Sequence, residues 1–406
     1  MKKTLFSLLT LLTCFAFADN CNICVCNPCE CPCPEFTPCP PPSTCAYNAP
    51  YGIDLLCQWD IFLTGSFIWL EPKQDNMSLG YFAQQIMLSG TDEQPDEQRI
   101  VSTGSDQPNY TYKPGFKVGL GVNFDCDSWE VYAEYMYHHS KTVSSMNAAA
   151  SEFAGANQNT LNYIVPDWLF VNVVSTVVST NAANANLQVG INKASQTWKL
   201  NLDVADFELA RQYYVGRCLT FRTSGGLRGA WIRQDVEAVY EDDPATTIAT
   251  GAPGVTTSTS KSKSWAVGPR IGLDTNWMFC QGFKFYMDTS ASILFTKYTT
   301  NSITAERVLY DTEVVSNSFS YTPTNDLCYL RPQFDIELGL GWGDYFFCNK
   351  WFFGLDIGYV FQVYFNENMF YYYTPSSTTS NAYQAITPRN GNLYLHGLVV
   401  SARLDF

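Results

Sequence analysis

Histidine occurs only three times in the 406 residues, and lysine and arginine together number 24 against 38 aspartates and glutamates. A nucleic-acid partner needs clustered Lys and Arg to neutralise its phosphates. A net charge of −14, with no basic run beyond Lys2-Lys3, excludes that class. Charged residues reach only 15%, few for a soluble enzyme. Long apolar runs are missing as well. Past the N-terminal segment nothing approaches the roughly 18 apolar residues of a membrane helix. Trp168 to Val178 comes nearest and is broken by Asn172 and Ser175. Neither Gly-x-Ser-x-Gly nor His-Glu-x-x-His is present, so no enzyme and no cofactor are expected.

Aromatic residues are abundant instead, at 15% of the chain. Membrane barrels need aromatic girdles around an apolar outer band that carries few charges. The acidic excess falls partly in connecting stretches, Asp92-Glu93 with Asp96-Glu97 and Glu241-Asp242-Asp243, as on a solvated outer surface. The first 18 residues read as a secretory signal: Lys2-Lys3, an apolar core from Leu5 to Phe15, and Ala16-Phe17-Ala18 before a mature start at Asp19. Cys14 invites a lipoprotein reading, but Thr13 before it is a poor residue for that site.

Residues 19–56 form a Cys/Pro-rich arm with Cys21, Cys24, Cys26, Cys29, Cys31, Cys33, Cys39 and Cys45. Proline at this density forbids helix and central strand, so the arm reads as an extended periplasmic tether. From residue 57 to 406 the pattern changes to period-two alternation, the mark of strands with one apolar face. Ten such segments are countable. The first sets Trp59, Ile61, Leu63, Gly65, Phe67 and Trp69 against Asp60, Thr64 and Ser66. Others run from Gly115 to Asp125, Trp129 to His139, Trp198 onward, Cys218 to Tyr240, Trp265 to Trp277, Phe283 onward, Arg331 to Trp342 and Trp351 to Val363. The last carries Leu398, Val400, Ala402, Leu404 and Phe406 on one face. In the segment from Trp198, Leu200, Leu202 and Val204 share a face, and the phase is expected to shift near Asp206 as at a bulge. Leu161 to Thr180 could hide another pair of strands, a helix or a loop folded inward.

Connections after even-numbered segments are short, and those after odd-numbered ones are long and rich in Ser, Thr, Asn, Gly and Pro. This alternation predicts an all-β, transmembrane antiparallel up-and-down β-barrel, with twelve or more strands still possible. Both termini then lie on the periplasmic side of a cell outer membrane. An all-β sandwich would explain the alternation but not the short/long phasing.

Gly226-Leu227-Arg228-Gly229-Ala230-Trp231-Ile232, Val267-Gly268-Pro269-Arg270-Ile271-Gly272-Leu273-Asp274 and Glu337-Leu338-Gly339-Leu340-Gly341-Trp342 resemble the major outer membrane protein-like family of chlamydia-related and legionella-type bacteria. The resemblance covers roughly Cys57 to Phe406. It implies a porin-like, cysteine-rich, disulfide-cross-linked envelope protein. The Cys/Pro arm has no place in it and is argued from chemistry alone.

Beyond the arm, Cys57, Cys126, Cys218, Cys280 and Cys348 all fall at the periplasmic edge of this topology, and Cys328 alone on the outer side. Accessible cysteines in an oxidising compartment pair. Bonds to other subunits or to other Cys-rich envelope proteins are the favoured expectation, with intrachain pinning of the arm and, further behind, a metal cluster as alternatives. Candidate pore-lining residues are Glu130, Glu134, Arg222, Arg228, Arg270, Asp274, Arg331, Asp335, Glu337 and Arg403, joined on the polar face by Asp288, Asp356 and Asp405. In a porin such charges on opposed walls tune passage of small solutes and ions. In a narrow ten-strand barrel they pair and plug the lumen. His138-His139 lacks the orienting partners of a catalytic site. Long polar loops such as Thr246 to Lys263 suit either a solvated surface or adhesion to a host surface.

Overall fold

The computed structural model describes residues 48–53, 55, 60–88, 98–106, 108–124, 127–149, 152–153, 158–168, 191–242, 254–279, 282–310, 315–323, 326–347, 349–374 and 385–406. The expected signal segment, the arm cysteines and Cys57, Cys126, Cys280 and Cys348 lie outside them. In chain order β1 (Ile61–Gln74) is followed by β2 (Gly80–Leu88), β3 (Gln98–Asp106), β4 (Lys113–Phe124) and β5 (Trp129–Asn147). Next come the short β6 (Glu152–Phe153), β7 (Gln158–Pro166) and the long β8 (Ile191–Tyr214), β9 (Leu219–Asp242), β10 (Gly254–Met278) and β11 (Phe283–Leu309). The chain ends through β12 (Val315–Tyr321), β13 (Leu327–Phe346), β14 (Trp351–Tyr364), β15 (Tyr371–Thr374), β16 (Ala385–Pro388) and β17 (Leu393–Asp405).

Ten of these strands close on themselves as an antiparallel barrel in the order β1-β4-β5-β8-β9-β10-β11-β13-β14-β17. The closing pair is β1 with β17, where Trp69 faces Leu398 and Phe62 faces Asp405. The row of paired residues through Gly226 and Arg270 crosses β13 at Gln333; followed the other way round, through Phe62 and Asp405, it returns to β13 at Tyr345. The two crossings are twelve residues apart. For ten strands a stagger of that size corresponds to a tilt of about 40° and a backbone radius of roughly 10 Å, too narrow for an interior free of side chains. No helix among the described residues is long and apolar enough to cross a membrane.

Alternation explains the wall. Leu63, Phe67, Trp69, Phe116, Leu120, Leu227, Ile271, Leu340 and Ile357 point outward and are exposed, a lipid-facing band. Trp277, Trp129, Trp351 and Phe406 edge it at the end of short turns, and Trp231, Trp265 and Trp69 at the end of long connections. The tight turns use left-handed residues, Ser128 (φ 51), Gly282 (φ 81) and Asn349 (φ 61). Inside, Gly119 and Gly121 of β4 leave room for Tyr132 and Phe62, whose side chains occupy the space a Cβ would take.

Two expectations are corrected. No register shift occurs near Asp206: β8 runs in phase against β5 and β9 through that point. Leu200, Leu202 and Val204 point inward and are buried, on the same face as Asp206 and Glu208. The outward residues there, Lys199, Asn201 and Asp203, are polar because β8 to β11 rise past the aromatic edge. The apolar and polar faces exchange sides when the surroundings change from lipid to water. Likewise, Gly254 to Lys263 is not loop but the upper part of β10. Its inward Thr256, Ser258, Ser260 and Ser262 are buried, yet both faces are polar, so hydrophobic alternation could not reveal it.

The upper parts of β8 to β11 continue sideways into an outer sheet, β3-β2-β7 on one side and β12 on the other. Thus Leu161 to Pro166 belongs to a strand of this outer sheet rather than to the barrel wall. Within lies one apolar cluster that includes Leu70, Met77, Leu79, Trp168, Trp198, Leu202, Ile232, Tyr240, Phe370 and Leu393. Each large side chain buried there contributes about 1.5–3 kcal/mol of transfer free energy.

Candidate functional site: a charged lumen under an apolar stopper

Every one of the candidate lining residues projects inward, because each sits on the strand face opposite the lipid-facing row. The structure joins all of them but Arg331 into a network spanning the bore. Arg222 on β9 reaches Glu130 (2.6 Å), Asp274 (2.6 Å) and Glu208 (3.2 Å). Arg228 donates to both oxygens of Asp206 and to Asp335 (2.5 Å) and Gln333 (2.5 Å) on β13, across the lumen. Arg270 pairs with Glu208 and lies 3.7 Å from Asp206. Lys117 stands 3.9 Å from both Glu134 and Glu337, and Arg403 pairs with Asp405 at 2.7 Å.

Exposure is uneven along the network, and Glu130 and Asp405 are buried even near the turn end. Towards the turn end, Asp274, Asp356 and Lys284 keep 23%, 26% and 31% of their side-chain surface exposed. Deeper in, Arg228 and Asp206 keep 5% each. Carboxylates outnumber cations throughout: Glu134, Asp274, Asp288, Glu337 and Asp356 meet only Lys117, Lys284 and a share of Arg222. Sequence reasoning missed Asp206, Glu208, Lys117 and Lys284 as members. The first two were hidden by the supposed bulge, and the lysines were legible from the alternation of their own strands.

Above this network the mouth is stopped by three connecting segments, none of them readable as a unit from the sequence. Asn368 donates to the Asp75 carbonyl (2.7 Å), and Asn76 donates to the Arg389 and Asn390 carbonyls (3.2 and 2.6 Å). Arg389 donates to the carbonyls of Asn76 and Asp167, at 2.9 and 2.5 Å, and stacks 3.8 Å over the Trp168 ring. Trp168 donates to the Ser78 carbonyl and packs edge-on against Phe370. Glu367 is buried, its carboxylate accepting from Tyr298 (2.9 Å) and Ser264 (3.1 Å). Burial pushes that carboxyl up to about 7 despite these hydroxyls and the nearby Arg331. Arg331 therefore serves the stopper, contacting Tyr298, Tyr329 and Met369, rather than the charged bore.

The histidines are split: His138 is buried and its ring makes no hydrogen bond, whereas His139 faces out, 3.4 Å from Asp203. No group of metal-ligating side chains is assembled among the described residues. At the turn end, Cys218 is disulfide-bonded, and the chain ahead of β1 lies along β8, with Tyr51 donating to the Gln212 carbonyl (3.2 Å). Cys328 is a free, exposed thiol at the opposite end.

Residues 56–406 match a family model described as Legionella pneumophila major outer membrane protein precursor. No curated protein matches the chain. Among solved structures, the outer membrane protease OmpT from Escherichia coli is similar at 10% identity, with 86% of this chain and 96% of that one covered and a TM-score of 0.33. A Pseudomonas aeruginosa FadL homologue is similar at 9% identity, with 86% and 91% covered and a TM-score of 0.24. The toluene transporter TodX of P. putida is similar at 10% identity, with 86% and 89% covered and a TM-score of 0.22. At TM-scores this low the three carry no argument about what the chain does.

Proposed function

We propose, from the premise that this chain belongs to the Legionella pneumophila major outer membrane protein family, that it is an outer-membrane porin. It passes small solutes and ions, is held shut in the state described, and is tied into the envelope by its cysteine-rich arm. The observation that carries the reading is the charge-lined bore below the stopper, whose Asp274, Asp356 and Lys284 stay partly exposed towards the turn end. Pairing of opposed walls, with carboxylates in excess, suits small cations over anions. The long-strand end faces outward and the turn end faces the periplasm. The chain entering β1 lies at that turn end, where Cys218 is already bonded within the chain, so the arm cysteines left unpaired can reach partners there: other subunits or other Cys-rich envelope proteins.

Planar-bilayer recording tests the channel. Rare, small, cation-preferring steps are expected from the full protein, and more frequent ones after Trp168→Ala with Phe370→Ala loosens the stopper. Complete silence of both proteins refutes conduction. It leaves the second reading, a non-conducting structural barrel, which the buried apolar cluster in the mouth favours. Electrophoresis without reductant tests the tie: a monomer band from intact envelopes refutes it.

A further inference from the structure

Just beyond the outer aromatic edge, the outward faces of β5, β8, β9 and β10 form a grid two rows deep. In the farther row Lys141 pairs with Lys199, Lys199 with Asp235, and Asp235 with Lys261. In the nearer row His139 pairs with Asn201, Asn201 with Arg233, and Arg233 with Lys263. Below them lie Tyr137, Asp203, Trp231 and Trp265 in the same register. Five of these eight positions are cationic and exposed, in a chain whose net charge is −14.

Like charges directly opposite across strands repel, and both Lys141 with Lys199 and Arg233 with Lys263 are such pairs. None of the five cations has a carboxylate within ion-pair distance among the described residues, and only the farther row is partly offset, by Asp235 opposite Lys199 and Lys261. Asp203 is occupied by Tyr135 (2.8 Å) and His139. Asp235, in register with Lys199 and Lys261, makes no ion pair among the described residues. Strand spacing of about 4.8 Å and a two-residue rise of about 6.8 Å make the grid roughly 14 Å by 7 Å. That is the footprint of a phosphorylated disaccharide headgroup, with Trp231 and Trp265 below to take the start of its acyl chains.

We propose that this grid binds the phosphates of a phosphorylated glycolipid of the outer leaflet, of the lipid A type. Anionic oxygens placed between Lys141 and Lys199, and between Arg233 and Lys263, convert two repulsive pairs into four charge-assisted contacts. The inference rests on the outward orientation of the long-strand end proposed above.

The test uses the full chain in detergent micelles, titrated with diphosphorylated lipid A, with the same lipid after removal of its phosphates, and with inorganic phosphate. Bound lipid is read by native mass spectrometry. Retention of the diphosphorylated lipid alone is expected. Weakening of about tenfold on Arg233→Glu with Lys263→Glu corresponds to loss of about 1.4 kcal/mol. Milder Arg233→Gln with Lys263→Gln serves if the reversal fails to fold, and Trp265→Ala leaves the salt dependence intact while weakening lipid. Equal binding of the dephosphorylated lipid, or no effect of either pair of changes, overturns the proposal. Orientation is read separately, by labelling Cys328 on intact cells with a membrane-impermeant maleimide. A labelled Cys328 with no lipid A binding overturns only the grid. An unlabelled one overturns the orientation and, with it, the outer leaflet as the source.

Discussion

Arg228 is the most informative residue to remove. It is 5% exposed and forms the shared cation of Asp206, on the neighbouring strand, and Asp335, across the bore. Arg228→Met fills much the same volume but leaves two carboxylates in a dry section of the lumen. Breaking a buried pair by removing one partner costs about 3–5 kcal/mol. Arg270, 3.7 Å from Asp206, offsets part of this, so a loss near the lower end, about 3 kcal/mol, is expected. The assay is urea unfolding in detergent followed by tryptophan fluorescence, with heat-modifiable electrophoretic mobility confirming a folded barrel. Arg228→Met combined with Asp206→Asn and Asp335→Asn removes the stranded charges and should recover most of the loss. A single variant within about 1 kcal/mol of the parent, or a triple variant no better than the single, would refute the view that this pairing holds the narrow bore together.

Glu367→Gln should abolish a pH dependence of the stopper. Its carboxyl, raised by burial to about 7 from an ordinary 4.5, favours the docked segment while protonated, so docking is tightest in acid. It weakens as pH climbs from about 4.5 through about 7, by on the order of 3 kcal/mol. Limited proteolysis of residues 366–370 should therefore speed up between those pH values in the parent and not in the variant; equal profiles would remove Glu367 as the cause. Gly121→Val places a side chain on the Phe62 ring and should cost about 1–3 kcal/mol by overpacking. It should be rescued by Phe62→Ala; lack of rescue would place the damage elsewhere.

The strand faces show why legibility varied. Where a strand crosses lipid, one face must be apolar and the other must not, so Leu227, Trp231, Ile271 and Trp277 announced their orientation residue by residue. The inward placing of Arg222, Arg228 and Arg270 followed from the same alternation. Above the aromatic edge the outside is water, the constraint lapses, and two readings failed there. Leu200, Leu202 and Val204 turned inward without a bulge, and Thr256 to Ser262, polar on both faces, were strand rather than loop. The stopper left no local trace, because Asn76, Trp168, and Asn368 with Arg389 come from three separate connections far apart in the chain, joined chiefly through backbone carbonyls.

What the sequence by itself determined is the barrel: an all-β antiparallel wall of about ten strands whose lipid-crossing faces follow from a two-residue period imposed by lipid on one side. Only the tertiary structure decided what fills it. Whether opposed charges stand apart around a pore or meet depends on the radius of closure, and that radius is set by stagger, the twelve-residue offset between Gln333 and Tyr345 on one row. No single strand encodes that offset; it arises from all ten pairings together.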